Sequence, residues 1–355
     1  MRTRLIRTDA RWRDRLATAL AVVTLALGAD VGAASAAGYK VLERWKVGGA
    51  GGWDYLVFDS GHQRLFVTRG DRVDVLDTAS GRLMGSVPGA GGAHGVALAP
   101  DLDRGYLSNG AGNSITEFDY TTLAPLRTVP VPGANPDAIV YDPASRRLLT
   151  FNGRSSDVTV FDAKTLELVG KISVPGKPEF ARLDGHGKVF ANIETEPGQI
   201  VRIDIATAKL EASWRLDGCN SPSGLAFDAA RTRLFSVCDD NVMAVTDAST
   251  GKAIARVRIG AGPDAAEYDA TRRLAFSSNG KDGTLSVVRQ EGPDHYTVAE
   301  TLATQMGART MVLDPATGRV YLVSAEFEQG QVVPGARPAV VPGSFSVLVV
   351  APDQR

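Results

Sequence analysis

The stretch Pro222–Ile259, PSGLAFDAARTRLFSVCDDNVMAVTDASTGKAIARVRI, decides the fold. It opens with an apolar run ending at Asp228, turns, and continues as Arg233-Leu234-Phe235-Ser236-Val237. A Cys-Asp-Asp-Asn loop then leads to a Val-rich run closed by Asp247. The turn Asp247-Ala248-Ser249-Thr250-Gly251-Lys252 feeds a fourth run, Ala253–Ile259. All four runs are short, alternating and rich in β-branched residues, which is the pattern of strands and not of helices.

The same unit recurs along the chain. The end of its first run falls at Asp59, Ala99, Asp142, Asp184, Asp228, Asp269 and Asp314, at spacings of 40, 43, 42, 44, 41 and 45 residues. Second runs read Arg64-Leu65-Phe66-Val67-Thr68, Arg147-Leu148-Leu149-Thr150-Phe151 and Arg273-Leu274-Ala275-Phe276-Ser277. Third runs read Val73-Asp74-Val75-Leu76-Asp77, Val158-Thr159-Val160-Phe161-Asp162 and Ile200-Val201-Arg202-Ile203-Asp204. Four antiparallel strands per unit of this length predict the blades of a β-propeller, each sheet buried by its neighbours. The expectation is all-β, a seven-bladed propeller of four-stranded antiparallel blades. The last copy stops after its third strand, and Tyr39–Val47 precedes the first copy as an orphan fourth strand, so the N-terminal strand is expected to close the last blade and remove an open edge.

These units resemble the YVTN/YncE-type seven-bladed β-propeller family over roughly residues 39–350. The resemblance is carried by Leu65-Phe66-Val67-Thr68-Arg69, Val75-Leu76-Asp77-Thr78, Asn135-Pro136-Asp137 and Gly262-Pro263-Asp264, and by the C-terminal run Pro342–Val350. It implies the fold and an exported protein. The Gly-His and Trp-Asp pairs of WD40 repeats do not recur. The Asp-x-x-Thr-Gly-Lys turn at Asp247–Lys252 is shared with quinoprotein dehydrogenases, but no docking Trp recurs at the repeat period.

Residues 1–36 differ from the rest. Arg2, Arg4, Arg7, Arg11, Arg13 and Arg15 precede the apolar run Leu16–Ala29, and Ala34-Ser35-Ala36 offers a small-residue cleavage pattern before Ala37. This order predicts a signal peptide over 1–36 and a propeller domain over 37–355. The apolar run is shorter than the ~20 residues a span requires, so no stable membrane insertion is expected. Without a lipobox Cys the product is expected to be a soluble monomer, periplasmic or secreted. The full chain holds 39 Lys+Arg against 40 Asp+Glu. Removing six Arg and three Asp leaves 33 against 37, or −4, which supplies no basic field for nucleic acid. Single-stranded DNA binding, known in the family, also wants stacking platforms, and Trp45, Trp53 and Trp214 are scattered. The two cysteines, Cys219 and Cys238, flank the first two strands of the fifth unit, and antiparallel pairing there brings them into disulfide range.

In a propeller, the loop entering each innermost strand and the loop leaving the second strand share one face. The entry positions are Asp54, His94, Asp137, Glu179, Ser223, Asp264 and Arg309, and the exits are Asn109, Asn152, Asn192, Asp239, Asn279 and Glu326. Recurring Asp at strand starts also serves turns without any ligand. His94, Glu179 and Arg309 depart from the repeat in ways a turn rule does not require. The combined rim is expected to bind a ligand, with an oxygen-rich donor set suited to a divalent cation such as Ca²⁺. His94 stands open between glycines, as a ligand, base or donor, and Arg309 suits a carboxylate or phosphate. His62 and His186 fall on the opposite face and His295 in a turn elsewhere, so no multi-His metal site is expected. No Gly-x-Ser-x-Gly nucleophile turn exists.

The primary expectation is an exported binding protein for a small molecule, a metal ion or a periplasmic protein. The enzymatic alternative is a hydrolase or lactonase in which His94 and Glu179, or Asp137, activate water, with or without a divalent cation. A third alternative is a partner platform. The insertion 325–341 of the last unit reads either as a lid or as a Pro-stiffened surface loop.

Overall fold

A computed structural model describes residues 38–328 and 339–353. The expected leader at 1–36, and Pro334, Arg337 and Pro338 of the insertion, lie outside the described residues. Among the described residues the regular elements are β-strands and one short 3-10 turn, Pro100–Leu102.

The unit that decides the fold forms the strands Pro222–Asp228, Arg233–Cys238, Val242–Asp247 and Ala253–Arg258. They pair antiparallel in chain order, with Asp228 opposite Arg233 and Arg233 opposite Asp247. The second strand is almost wholly buried and the fourth largely exposed, so the apolar gradient runs from the inside of each sheet to its rim. The tight turn before the fourth strand has a local cause. Asp247 Oδ1 accepts hydrogen bonds from the backbone N–H of Ser249 and Thr250 at 3.0 and 2.9 Å and from the Thr250 hydroxyl at 2.9 Å. The same bond recurs from Ser80 to Asp77, Thr122 to Asp119, Thr165 to Asp162 and Thr207 to Asp204. Aspartates that end third strands are therefore turn-formers.

Five sheets have four strands, and a sixth has seven. The seven-stranded sheet arises because Leu83–Ala99 runs on without a break. Its first half pairs with Gly70–Asp77 and its second half with Arg104–Asn109. Positive φ at Gly89 and Gly92 lets the strand bend and continue. The N-terminal strand Tyr39–Lys46 pairs with Ser346–Pro352 as the outermost strand of a sheet that continues through Val320–Ser324 to Met311–Leu313.

The innermost strands adjoin in a cycle. Leu56–Asp59 lies beside Leu83–Ala99, then follow Pro136–Asp142, Lys177–Leu183, Pro222–Asp228, Pro263–Asp269 and Met311–Leu313, which returns to Leu56–Asp59. Neighbouring sheets share their cores, as where Phe235 stacks on Tyr268 of the next sheet with centroids 5.0 Å apart. This is a propeller-like all-β fold in which every innermost strand starts near a common centre. Cys219 and Cys238 are joined in a disulfide, with Cα atoms 5.3 Å apart.

Tryptophans pack on turn glycines at two sheet junctions, without recurring at the repeat period: a Cβ at Gly81 would overlap the Trp45 indole, and one at Gly251 would overlap Trp214. In each case a fourth-strand Trp covers the glycine turn of the following sheet.

Candidate functional site

All seven entry positions line one cavity of about 500 Å³. Lys177, Glu194 and Asp239 share its wall, so six carboxylates face one lysine, one arginine and one histidine. Six of the entry residues sit within two residues of the start of an innermost strand, and His94 lies where Leu83–Ala99 passes from one unit to the next.

Two ion-pair systems organise the wall. His94 Nδ1 lies 2.6 Å from Asp54 Oδ2 and 3.7 Å from Asp137 Oδ1. Gly110 makes room for this imidazole, because a Cβ there would collide with its Nε2 edge. Arg309 continues the chain of contacts: Nη1 donates to Asp264 Oδ2 at 2.5 Å, Nη2 donates to the Trp53 carbonyl at 3.2 Å, and Nη2 lies 3.6 Å from Asp54 Oδ1. The Ser223 hydroxyl is 2.8 Å from both the Asp264 backbone oxygen and its Oδ1. On the other side, Lys177 Nζ stands 2.5 Å from Glu179 Oε1 and 2.5 Å from Glu194 Oε2.

An aromatic pair forms the apolar part of the wall. Tyr55 stacks on Phe180 of a distant sheet, centroids 4.2 Å apart, and its buried hydroxyl has no hydrogen-bond partner among the described residues. Two residues beyond Phe180, Arg182 donates to Glu267 Oε1 at 2.9 Å, joining nonadjacent innermost strands.

The electrostatics follow from burial. Loss of solvent, then the nearby Asp54 charge, raises Asp137 to about 6. Burial, then Asp137, raises Glu179 to about 8 despite Lys177. The hydrogen bond with Asp54 raises His94, and its burial opposes that shift. Arg309 remains cationic because Asp264 and Asp54 outweigh its desolvation. Glu179 and Glu194 likewise hold Lys177 protonated against its burial.

The exit positions do not form the expected rim. Asn109, Asn152 and Asn279 are buried inside their own sheets, away from the cavity. Their amides donate across to the third strand: Asn109 to Thr116 at 2.8 Å, Asn152 to Thr159 at 2.9 Å and Asn279 to Ser286 at 3.0 Å. Asn192 donates to the carbonyls of Ser223 and Gly224. A hydroxyl two residues into the third strand captures the Asn amide in those three sheets, and that recurrence was readable. Glu326 lines a separate cavity with Arg44 and Gln305. Only Asp239 of the exits joins the central wall. His94 and Glu179 share the cavity, but His94 pairs with Asp54 and Glu179 with Lys177.

Sequence reading missed Lys177, Tyr55 and Phe180. Lys177 occupies the position of Asn135, Ser221 and Gly262 in the other x-Pro-x entries, a departure from the repeat that could have flagged it. Nothing local marks Tyr55 and Phe180 as partners, since 125 residues separate them.

The chain matches no protein-family model and no curated protein. Among solved structures it is similar to a chain of Kuenenia stuttgartiensis hydrazine synthase, at 15% identity and TM-score 0.67, over 76% of this chain and 92% of that one. It is also similar to U3-55K, at 12% identity and TM-score 0.69, over 87% of this chain and 98% of that one. At these identities the likeness establishes a propeller-like fold and nothing about chemistry.

Proposed function

We propose that this is an exported seven-bladed β-propeller of the YVTN/YncE type that binds a small polar or cationic ligand in its central cavity. The observation that carries the reading is the convergence of all seven entry positions on one cavity, where His94, Glu179, Ser223 and Arg309 replace the repeating Asp. Turn formation accounts for the third-strand aspartates but not for a six-carboxylate wall around an aromatic pair. The seven-blade count is supported by the period and by the continuous strand Leu83–Ala99, which serves as fourth strand of one unit and first of the next. Export is supported by the disulfide, which persists in oxidising compartments. A wall with excess negative charge disfavours nucleic acid.

Binding is preferred to the His94–Glu179 hydrolase reading because the two side chains do not pair with each other: His94 Nδ1 meets Asp54, and Glu179 meets Lys177. Native mass spectrometry of the protein isolated from its own compartment tests the reading. A bound mass lost on mild denaturation, and absent from Glu179→Gln/Asp264→Asn protein, is expected. Equal retention by the wild type and this double variant would place the ligand elsewhere and sink the proposal.

A further inference from the structure

We propose that Asp54, His94 and Asp137 form a site for one divalent cation of the Zn²⁺ or Mn²⁺ class, a deepening that rests on the binding reading of the central cavity. The three side chains come from three different innermost-strand entries, and their donor atoms lie within 4.8 Å of one another. Both carboxylates face the same nitrogen, Nδ1, at 2.6 and 3.7 Å.

The second observation is Asp137 itself. It is only 8% exposed, it borders the cavity, and no described residue donates a hydrogen bond to its carboxylate. A buried carboxylate without a donor is costly, and native proteins leave few such groups without a water or ion to serve them. A protonated His94 does not solve this. It has one Nδ1 proton, and at 2.6 Å that proton belongs to Asp54. A cation replacing the proton touches both carboxylates at once.

Charge and donor type narrow the ion. Two carboxylates and a neutral imidazole sum to −2, matching a dication, while Arg309 is committed to Asp264 and the Trp53 carbonyl. Its approach to Asp54 Oδ1 leaves Oδ2 aimed at His94. One nitrogen and two oxygens suit Zn²⁺, Mn²⁺ and their neighbours, whereas Ca²⁺ and Mg²⁺ favour oxygen sets. Zn²⁺ bonds of about 2.0–2.2 Å require Asp54 and His94 to part slightly and release one proton on binding. Three protein donors leave coordination positions facing the cavity, where a small ligand completes the shell.

The test is calorimetric titration of ZnCl₂ into the chelated full-length protein, with CaCl₂ as comparison. One equivalent of Zn²⁺ per chain is expected, with affinity lowered about a hundredfold or more in His94→Ala and in Asp137→Asn. His295→Ala, which removes a surface His–Glu pair at 3.1 Å, is expected to bind as the wild type does. Folding is controlled by the metal-free thermal midpoint. Asp137→Asn should melt no lower than the wild type, since it removes a buried charge that accepts no hydrogen bond and whose His94 partner stands 3.7 Å away, yet gain nothing from Zn²⁺. No Zn²⁺ binding, binding unchanged in both site variants, tighter binding of Ca²⁺, or a metal-free Asp137→Asn protein that melts markedly lower would each overturn the site. An organic ligand retained after chelation in a protein that binds no Zn²⁺ would overturn the cation site and leave the binding function standing.

Discussion

Two carboxylates, one at the end of an innermost strand and one near the start of another, show how one chemical group does two jobs. Asp59 ends a first strand and is buried, yet the Tyr120 hydroxyl at 2.8 Å and Arg64 Nε at 3.0 Å donate to it. Burial would raise it, but these donors outweigh burial and hold it below the ordinary range. Its contribution is therefore present above the unfolded carboxylate range and lost as pH falls through the folded value. Asp59→Asn should cost about 1–3 kcal/mol in urea unfolding at pH 7, with a smaller difference from wild type in acid. Glu179 is the reverse case. Raised to about 8, it binds more protons folded than unfolded between the ordinary carboxylate range and about pH 8, so its ionisation erodes stability as pH rises across that window. Chelated Glu179→Gln protein should match the wild type near the bottom of the window and exceed it by a few kcal/mol at pH 9. Equal unfolding midpoints at both pH values would show that Glu179 is ionised throughout. The entry position of Glu179 was legible because it breaks the repeat. Its environment was not, because the burial and the Asp137 charge that raise it come from the assembled cavity and from another sheet.

At the scale of elements, the strands were legible wherever β-branched residues alternate, and the Asp-x-x-Ser/Thr turns were legible from their chemistry. The continuity of Leu83–Ala99 was not, because its glycines interrupt the β-branched alternation while positive φ at Gly89 and Gly92 carries the strand through the register shift between Pro88 and Ala93. Contacts between sheets were the other blind spot. Trp45 and Trp214 each lie on a turn glycine of the following sheet, and both glycines have positive φ, +69° at Gly81 and +75° at Gly251. Gly251→Ala then carries two penalties, a left-handed alanine and a clash with an aromatic ring, and is expected to cost about 2–4 kcal/mol. Gly185 also has positive φ but no neighbour within reach of a Cβ, so Gly185→Ala should cost only the backbone part, roughly 1 kcal/mol. Urea midpoints of the two variants separate packing from conformation, and equal losses would remove the tryptophan from the account.

For the whole molecule, the question is what keeps a cycle of sheets closed when each could peel from the next. The ends supply the answer. Tyr39–Lys46 covers the edge of Ser346–Pro352 through backbone pairing from Tyr39 to Lys46, and Trp45 continues across to the first sheet at Gly81. The same strand therefore completes the last sheet and fastens it to the first. Further ties cross the ring at its centre, where Arg309 of the last unit reaches Asp54 and the Trp53 carbonyl of the first. Closure and site are thus coupled: the residues that join the two ends of the cycle also orient Asp54 toward His94. Removing residues 38–46 should expose an unpaired, apolar strand edge and leave the junction held by the central ion pairs. The expected outcome is a protein that associates through Ser346–Pro352, seen as higher mass in light scattering, and that loses ligand and Zn²⁺ affinity together although no donor residue has been touched. Trp45→Ala in the intact chain is the gentler version: the edge stays covered, so association should not rise, while a lower melting temperature reports the loss of the fastening. A truncated chain that stays monomeric with undiminished affinity would mean that the cycle is held by its sheet-to-sheet cores alone.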